Sequence, residues 1–565
     1  MPDTSSAPGA LSALRVGAFR ALWLAGIVSN IGAWMQTVGA QWLLVEQHSP
    51  PAVVALVQTA SSLPVLLLAI PAGVLGEFVN KRRLLLLVQT GQLLVVGWLT
   101  ILTVMDAVPP MALLAFTLLL GIGSALQLPS YQAIVPEIVP VRDIPAAASL
   151  SSVAVNIARV IGPAVGGLVV ASAGVGAVFA LNALSFAVFL VTLLLWRGYT
   201  PRPPHPEHFI DATRAGLRYV RHSPVIRSIY LRLALFLLPA AGLWALLPVV
   251  ASARLGLPSS GYGILLGALG AGSVIGAFVL QLARAHLGAG RVVMVSSALF
   301  GVSSAGLALA PNLVVAAVVL LPAGLAWLGV IATINAQVQA FLPPWVRTRG
   351  LSIYQLVLYG STAVGSWLAG LAAGAVGAPA TLAGCGALLV LVAVSLLVSP
   401  MADPEGIGRD VVPLPLTDVP LVHPEPDVDD DAVLVLVHYT VPDPERPEFR
   451  RRMSLVEQSR RRGGARTWEL YDDPERPEVL TEAFTVGSWR EHLEQHGERT
   501  TAYDEQVLEA AKACSTSEPT VEHLLSAPAK TRALRLPPAA RFTRPTAGQG
   551  AARARGATDR RSPAR

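Results

Sequence analysis

From Ala212 to Ala402 the chain contains no aspartate and no glutamate. A water-soluble fold of that length without one carboxylate is hard to imagine. A domain dissolved in lipid gives a simple reason, because a charge in hydrocarbon costs about 2.5 kcal/mol or more. The composition agrees: 14% of the 565 residues are charged, against about 25% in an ordinary soluble domain.

A spanning helix needs about 20 mostly apolar residues. Twelve runs qualify, near 20–45, 51–76, 83–105, 111–133, 148–172, 174–196, 228–252, 260–283, 292–310, 313–338, 350–372 and 376–399. With the N-terminus inside, the inner segments carry Arg15, Arg20, Lys81, Arg82, Arg83, Arg142 and the arginines from Arg197 to Arg227, then Arg284, Arg291, Arg347 and Arg349. The outer loops hold Arg254 alone. This asymmetry predicts a multi-pass protein of the cell membrane with both termini cytoplasmic. The net charge of +6 is then a topology signal, and nucleic acid is not an expected partner. Residues 1–19 lack the apolar core of a cleavable signal peptide. Cys385 lies in an apolar run and Cys514 in a polar segment, which suggests neither a disulfide nor a metal cluster.

The chain says one thing twice. "QAIVP" (Gln132 to Pro136) and "QAFLP" (Gln339 to Pro343) each close the fourth apolar run of a set of six. Arginines follow both, and then "IGPAVGG" (Ile161 to Gly167) and "VGSWLAG" (Val364 to Gly370). A parallel repeat of two six-helix halves, 20–196 and 228–400, accounts for this and is an architecture of secondary transporters. The connection 197–227 begins Pro-rich and continues as "IDATRAGLRYVRHS", which reads as an amphipathic helix on the cytoplasmic membrane face. After it come a linker at 401–431, an α+β domain at 432–513 and a basic tail at 514–565. The domain reads strand–helix–strand–strand–helix, a ferredoxin-like pattern. The tail reads as disordered, either solvated or resting on anionic lipid.

Arg159 is the clearest charge inside an apolar run, and an arginine at depth faces the bundle interior or water. Arg232 lies near a helix end, from which it can snorkel. Asn30, Gln36, Gln41, Asn335 and Tyr354 add amide and phenol edges. With Arg159 they are the expected lining of a transport cavity for an amphipathic small molecule. Gly162, Pro163, Gly166 and Gly167 permit tight helix packing and a kink. Acids near the spans are Glu46, Glu77, Asp106, Glu137 and Asp143, all at helix ends or in loops. A proton path remains open through Glu46 or Asp106, near the outer face. No phosphate-binding Gly-rich loop occurs, so ATP is not an expected cofactor. His492 and His496 stand four apart and His438 lies elsewhere, without an evident third ligand, so no metal is assigned.

"GVLGEFVNKRRLLLL" (Gly73 to Leu87) resembles the loop between the second and third helices of the major facilitator superfamily. Gly73, Gly76, Lys81, Arg82 and Arg83 match its pattern. Glu77 stands where the family has Asp, Phe78 where it has Arg and Asn80 where it has Gly. "NIARVIGPAVGG" resembles the glycine–proline motif of the superfamily's exporters. "LPPWVRTRGLSIYQL", "RRRGGARTWELYDD" and "SWREHLEQHGERTT" resemble the branch described as transmembrane secretion effectors, related to enterobactin exporters. The resemblance implies a twelve-helix all-α membrane fold of two six-helix halves, plus the ferredoxin-like domain. It also implies export of a drug, siderophore or secondary metabolite, with protons as coupling ion. The last domain resembles antibiotic-biosynthesis monooxygenases, which form dimers. That implies dimerisation through it and raises an alternative, a membrane-anchored enzyme.

Overall fold

The computed structural model describes residues 11–78, 80–196, 209–401, 412 and 432–525. A helical bundle is built from α1 (Gly17–Glu46), α2 (Pro51–Phe78), α3 (Lys81–Val104), α4 (Pro110–Ile138), α5 (Ile144–Leu195), α6 (Phe209–His222), α7 (Pro224–Val249), α8 (Ser259–Leu309), α9 (Leu313–Phe341), α10 (Pro344–Val376) and α11 (Ala378–Val398). Among the described residues, nine helices are long and apolar enough to cross a membrane, α2 to α5 and α7 to α11. Side-chain caps fix several starts. Asn80, Ser223 and Asn312 each accept a backbone N–H of the first turn of α3, α7 and α9.

The helices α5 and α8 run for 52 and 51 residues, about twice what a bilayer accommodates. Each is broken at one glycine, Gly174 at φ 80° and Gly288 at φ 75°. A side chain at such φ would clash with its own backbone, so glycine sets where the direction changes. The connection expected at Ala173 and Gly174 is therefore a one-residue break. The runs read near 260–283 and 292–310 meet about Gly288.

Within the first half α1 and α3 pack on α5, and α2 on α4. Within the second, α8 packs on α9 and α11, and α7 on α10. Between halves α2 meets α10 and α5 meets α8. Gly370 lies against Ala52 and Ala55, and Gly360 against Leu66, so α2 and α10 are antiparallel. The α1–α2 turn and the start of α10 thus lie on opposite faces of the bundle.

The start of α10 faces a small α/β domain. Its elements are β1 (Val433–Thr440), α12 (Arg446–Gly463), β2 (Thr467–Asp472), β3 (Val479–Val486), α13 (Trp489–Glu494), α14 (Ala502–Lys512) and β4 (Thr520–Leu525). The sheet is antiparallel in the order β2-β3-β1-β4. Val433, Val435, Val437, Tyr439, Phe449, Met453 and Phe484 fill its core. The strand β4 corrects the sequence reading, which begins a tail at 514. "TVEHLL" pairs with β1 from His438↔Thr520 to Val433↔Leu525. It is an edge strand and mostly exposed, so it lacks the inward apolar alternation that marks a half-buried strand. The linker 402–411 and 413–431 and the tail from 526 lie outside the described residues.

A second correction concerns α6. It packs against α10 on one side and α12 on the other, bracketing the bundle to the domain where the sequence predicts a lipid-facing position. A Cβ on Gly216 would sit 2.8 Å from the Arg349 Cβ. Arg218 Nη2 donates to Glu491 Oε1 on α13 at 2.6 Å, with both side chains largely buried. The Arg499 guanidinium lies 5.0 Å from the Trp345 ring centre at the start of α10. A cavity of about 210 Å³ remains at this junction, lined among others by Tyr219, Phe341, Leu455 and Tyr503.

Candidate functional site

Arg159 projects from the first part of α5 and is half-buried. Its guanidinium carbon stands 5.9 Å from the Trp34 ring centre on α1. Across the boundary between the halves, Tyr354 of α10 lies within electrostatic range of Arg159 and beside Asn335 of α9, whose Oδ1 accepts from Gln339 Nε2 at 2.5 Å. Trp34 also approaches Trp244 of α7 at 6.1 Å between centroids, and Trp244 meets Trp327 of α9 edge-on at 5.5 Å. Arg159, Asn335 and Tyr354 are thus gathered at the centre, with three tryptophans that the sequence pattern does not single out. Among the described residues, the buried indole N–H groups of Trp244 and Trp327 find no acceptor.

The remaining amides are placed otherwise. Asn30 donates to the Gly26 carbonyl of its own helix at 2.8 Å. Gln36 accepts from Asn182 Nδ2 at 3.2 Å and joins α1 to the second part of α5, away from the other half. Gln41 crosses between the halves. Its Nε2 donates to the Trp244 carbonyl at 3.2 Å, and its Oε1 accepts from the Tyr262 hydroxyl of α8 at 3.0 Å. Tyr262 stacks on Trp42 at 5.4 Å, and Trp42 Nε1 donates to Glu46 at 2.8 Å. Gln41 is therefore part of a latch toward the face opposite the domain. Asn30 and Gln36 are local braces.

The glycine–proline motif packs α5 on two partners. A Cβ on Gly162 would meet Trp34 Cβ at 2.5 Å, and one on Gly166 would meet Met35 Cα at 3.0 Å. A Cβ on Gly167 would come 2.2 Å from Gly263 Cα, on α8 of the other half. Pro163 lies buried inside the helix between these contacts. Gly73, Gly76 and Glu77 fall in the last turns of α2, and their side-chain surroundings lie outside the described residues. The basic end of that loop braces the first half. Lys81 Nζ pairs with Glu137 at 2.5 Å, and Arg82 donates to the Leu193 carbonyl at 2.9 Å. The Arg83 amide is capped by Asn80.

Three acids of the bundle are held at helix ends. Glu46 is held by Trp42, Glu137 by Lys81, and Asp143 lies 3.9 Å from Arg142. Arg232 is anchored at a helix end, where its guanidinium donates to Ser395 Oγ at 2.5 Å and the Ser399 carbonyl at 2.6 Å.

In the α/β domain Glu482 is fully buried, accepting from Arg460 Nε at 3.1 Å, Trp468 Nε1 at 2.8 Å and Tyr439 OH at 3.1 Å. His492, His496 and His523 come together, with ring centres 4.8 Å apart for each pair that includes His492. The third imidazole comes from β4. Among the described residues no group of histidines, cysteines and acids has the geometry to hold a metal ion.

The transmembrane secretion effector family matches residues 8–531 of this chain. The staphyloferrin A transporter of Staphylococcus aureus is 25% identical over 277 residues, 49% of this chain and 70% of its own length. The multidrug efflux pump Tap of Mycolicibacterium fortuitum is 23% identical, over 63% of this chain and 89% of its own length. Among solved structures, the nucleoside transporter NupG superposes with a TM-score of 0.56 at 13% identity, covering 67% of this chain and 99% of that one.

Proposed function

The chain belongs to the transmembrane secretion effector family of major facilitator transporters, and on that premise we propose that it exports small organic molecules across the cell membrane by alternating access. It is a transporter of small-molecule substrates and not an enzyme. The observation that carries the export reading is the convergence of Arg159, Asn335, Tyr354 and three tryptophans between halves that, among the described residues, Gln41 and Gly167 latch toward one face. A rocking motion that releases the latch would expose that centre to the opposite side.

We count twelve spans: α1 and the nine apolar helices, with α5 and α8 each crossing twice about its glycine break. Both termini are then cytoplasmic and the latched face looks outward. The substrate is a siderophore, drug or secondary metabolite, in keeping with the relatives' names. We assign proton coupling to Glu46, whose hydrogen bond to Trp42 puts it beside the Tyr262 latch. The α/β domain takes a ferredoxin-like topology and a regulatory or dimerising role, with its docking through α6 as the support.

The test compares accumulation of antibiotics, dyes and siderophores in cells with and without the protein, with and without a protonophore. Lower accumulation that the protonophore abolishes is the expected result. Unchanged accumulation across the panel would overturn the reading. Arg159→Ala is expected to impair efflux while still inserting in the membrane; normal transport by that variant would make Arg159 structural.

A further inference from the structure

Resting on the export reading, we propose that the central site selects anionic aromatic molecules: compounds carrying a carboxylate, phenolate or sulfonate on or beside a planar ring. The charge at the site is positive and uncompensated. Among the described residues Arg159 has no carboxylate partner, and its neighbours are a ring face and a phenol. A ring face attracts a guanidinium without neutralising it. Arg232, more deeply buried, is held by Ser395 and a carbonyl at a helix end, and half-buried Arg284 donates to Thr333 Oγ1 at 3.1 Å. Two acids of the first half are engaged elsewhere, Glu46 by Trp42 and Glu137 by Lys81.

The hydrogen-bonding capacity at the site has the same sign. Trp244 and Trp327 each bury an indole N–H that has no acceptor among the described residues. An indole nitrogen only donates, and buried donors left unmet are uncommon in folded proteins. Two such donors in adjoining rings fit a ligand that supplies the acceptors. A carboxylate, phenolate or sulfonate supplies them and also suits the planar fork of a guanidinium. An ammonium would bring more donors beside two indole donors already unmet, and would meet Arg159 without a counter-charge. Trp34 and Trp244, at 6.1 Å, offer ring faces on which a planar group can stack, and Trp327, edge-on to Trp244 at 5.5 Å, is backed by Phe236 and Phe300.

Two xanthene dyes of similar skeleton test this, anionic carboxyfluorescein and cationic rhodamine 123. Binding is measured by fluorescence anisotropy on the full-length protein in lipid nanodiscs. Carboxyfluorescein is expected to bind at least about tenfold more tightly. Arg159→Gln is expected to weaken it about tenfold or more, Arg159→Lys to restore part of the loss, and neither to weaken rhodamine. Trp244→Phe and Trp327→Phe, which keep a ring and remove the N–H, are expected to weaken the anion several-fold. Circular dichroism and melting temperature establish that each variant is folded. Equal binding of the two dyes, tighter rhodamine binding, binding of neither dye, or an Arg159→Gln protein that still holds carboxyfluorescein would each overturn the proposal. The efflux panel separates this from failure of the export reading. A chain that expels cations and ignores anions is an exporter with a different selectivity, and one that expels nothing fails the broader reading as well.

Discussion

Gly167→Ala should bias the transport cycle while leaving each half intact. The substituted Cβ would come 2.2 Å from Gly263 Cα, far inside van der Waals contact. The neighbouring atoms are backbone, so no side chain can rotate away. α5 and α8 must separate by roughly 1 Å at that point to reach an ordinary close contact. Overpacking of this kind costs about 1–3 kcal/mol. The contact joins the two halves, so the cost falls on the state in which they touch there. A penalty of about 1–3 kcal/mol shifts a two-state population by roughly 5- to 150-fold. Spin labels placed on the face opposite the α/β domain, one per half, should show the longer distance gaining population in Gly167→Ala, and efflux should fall. Gly263→Ala should act in the same direction but less, since its Cβ would meet the Gly167 carbonyl carbon at 2.9 Å. Gly162→Ala is the control. Its clash is with Trp34 in the same half, so it should lower the melting temperature without redistributing the labels. Unchanged distances in Gly167→Ala, or the same redistribution in Gly162→Ala, would refute the assignment of this contact to closure.

Gln41→Leu removes both of that side chain's cross-half hydrogen bonds, worth about 1–2 kcal/mol together. It should speed labelling of a cysteine placed behind the latch by about tenfold, and an unchanged rate would count against the latch. Arg218→Ala leaves Glu491 without its partner on α6, a loss of about 1.5–3 kcal/mol for a charge-assisted bond. Hydrogen exchange over Trp489–Glu494 should quicken accordingly, and unaltered protection would mean that α6 does not hold the domain. His492 is held neutral, its pKa pushed down to about 3 by burial first and then by His496 and His523. An unfolded histidine titrates near 6.5, so below that pH the unfolded chain binds a proton that the folded one refuses. The resulting stability is present above about pH 6.5. It is lost as pH falls, by about 1.4 kcal/mol per unit until near pH 3. His492→Phe should flatten that acid limb in urea melts of the full chain followed by Trp489 fluorescence; a limb of unchanged slope would assign the titration to another group.

The sequence made the helices legible because lipid imposes length and apolarity on every span. The glycine break at Gly174 was legible too, since it sits between two apolar runs with almost no connection, whereas the one at Gly288 was hidden in a stretch that reads as a loop. Facing directions were not. A helix apolar on all sides carries no 3.6-residue contrast between lipid and interior, so Trp244 and Trp327 read like any large apolar residue. Polar residues could be picked out but not aimed. Gln36 and Gln41 stand five apart on α1, yet one meets Asn182 in its own half and the other Tyr262 in the opposite half. Arg159 was legible because burying a lone charge is costly enough to demand a role. In the α/β domain β1 was legible from its apolar run, while β4 draws its pairing from the edge that β1 offers.

Close glycine contacts show why the halves can move as bodies. In the second half, Cβ atoms built on Gly272 and Gly324 would lie 1.9 and 1.8 Å from carbonyl oxygens across α8 and α9, and one on Gly365 would lie 2.2 Å from the Leu238 carbonyl of α7. In the first half Gly162 and Gly166 bring α5 to the backbone of α1. Backbones this near leave no room to slide, which makes each half stiff. Between the halves, Gly167 on Gly263 is the corresponding contact. The hydrogen bonds of Gln41 and of Thr59 with the Ala363 carbonyl, at 3.1 Å, are of the kind that can break and re-form. The α/β domain is fixed through α6 and the start of α10, both attached to the second half. A motion of one half against the other would therefore carry the domain along, and any ligand that shifts the domain would act on α10, the helix that also bears Tyr354.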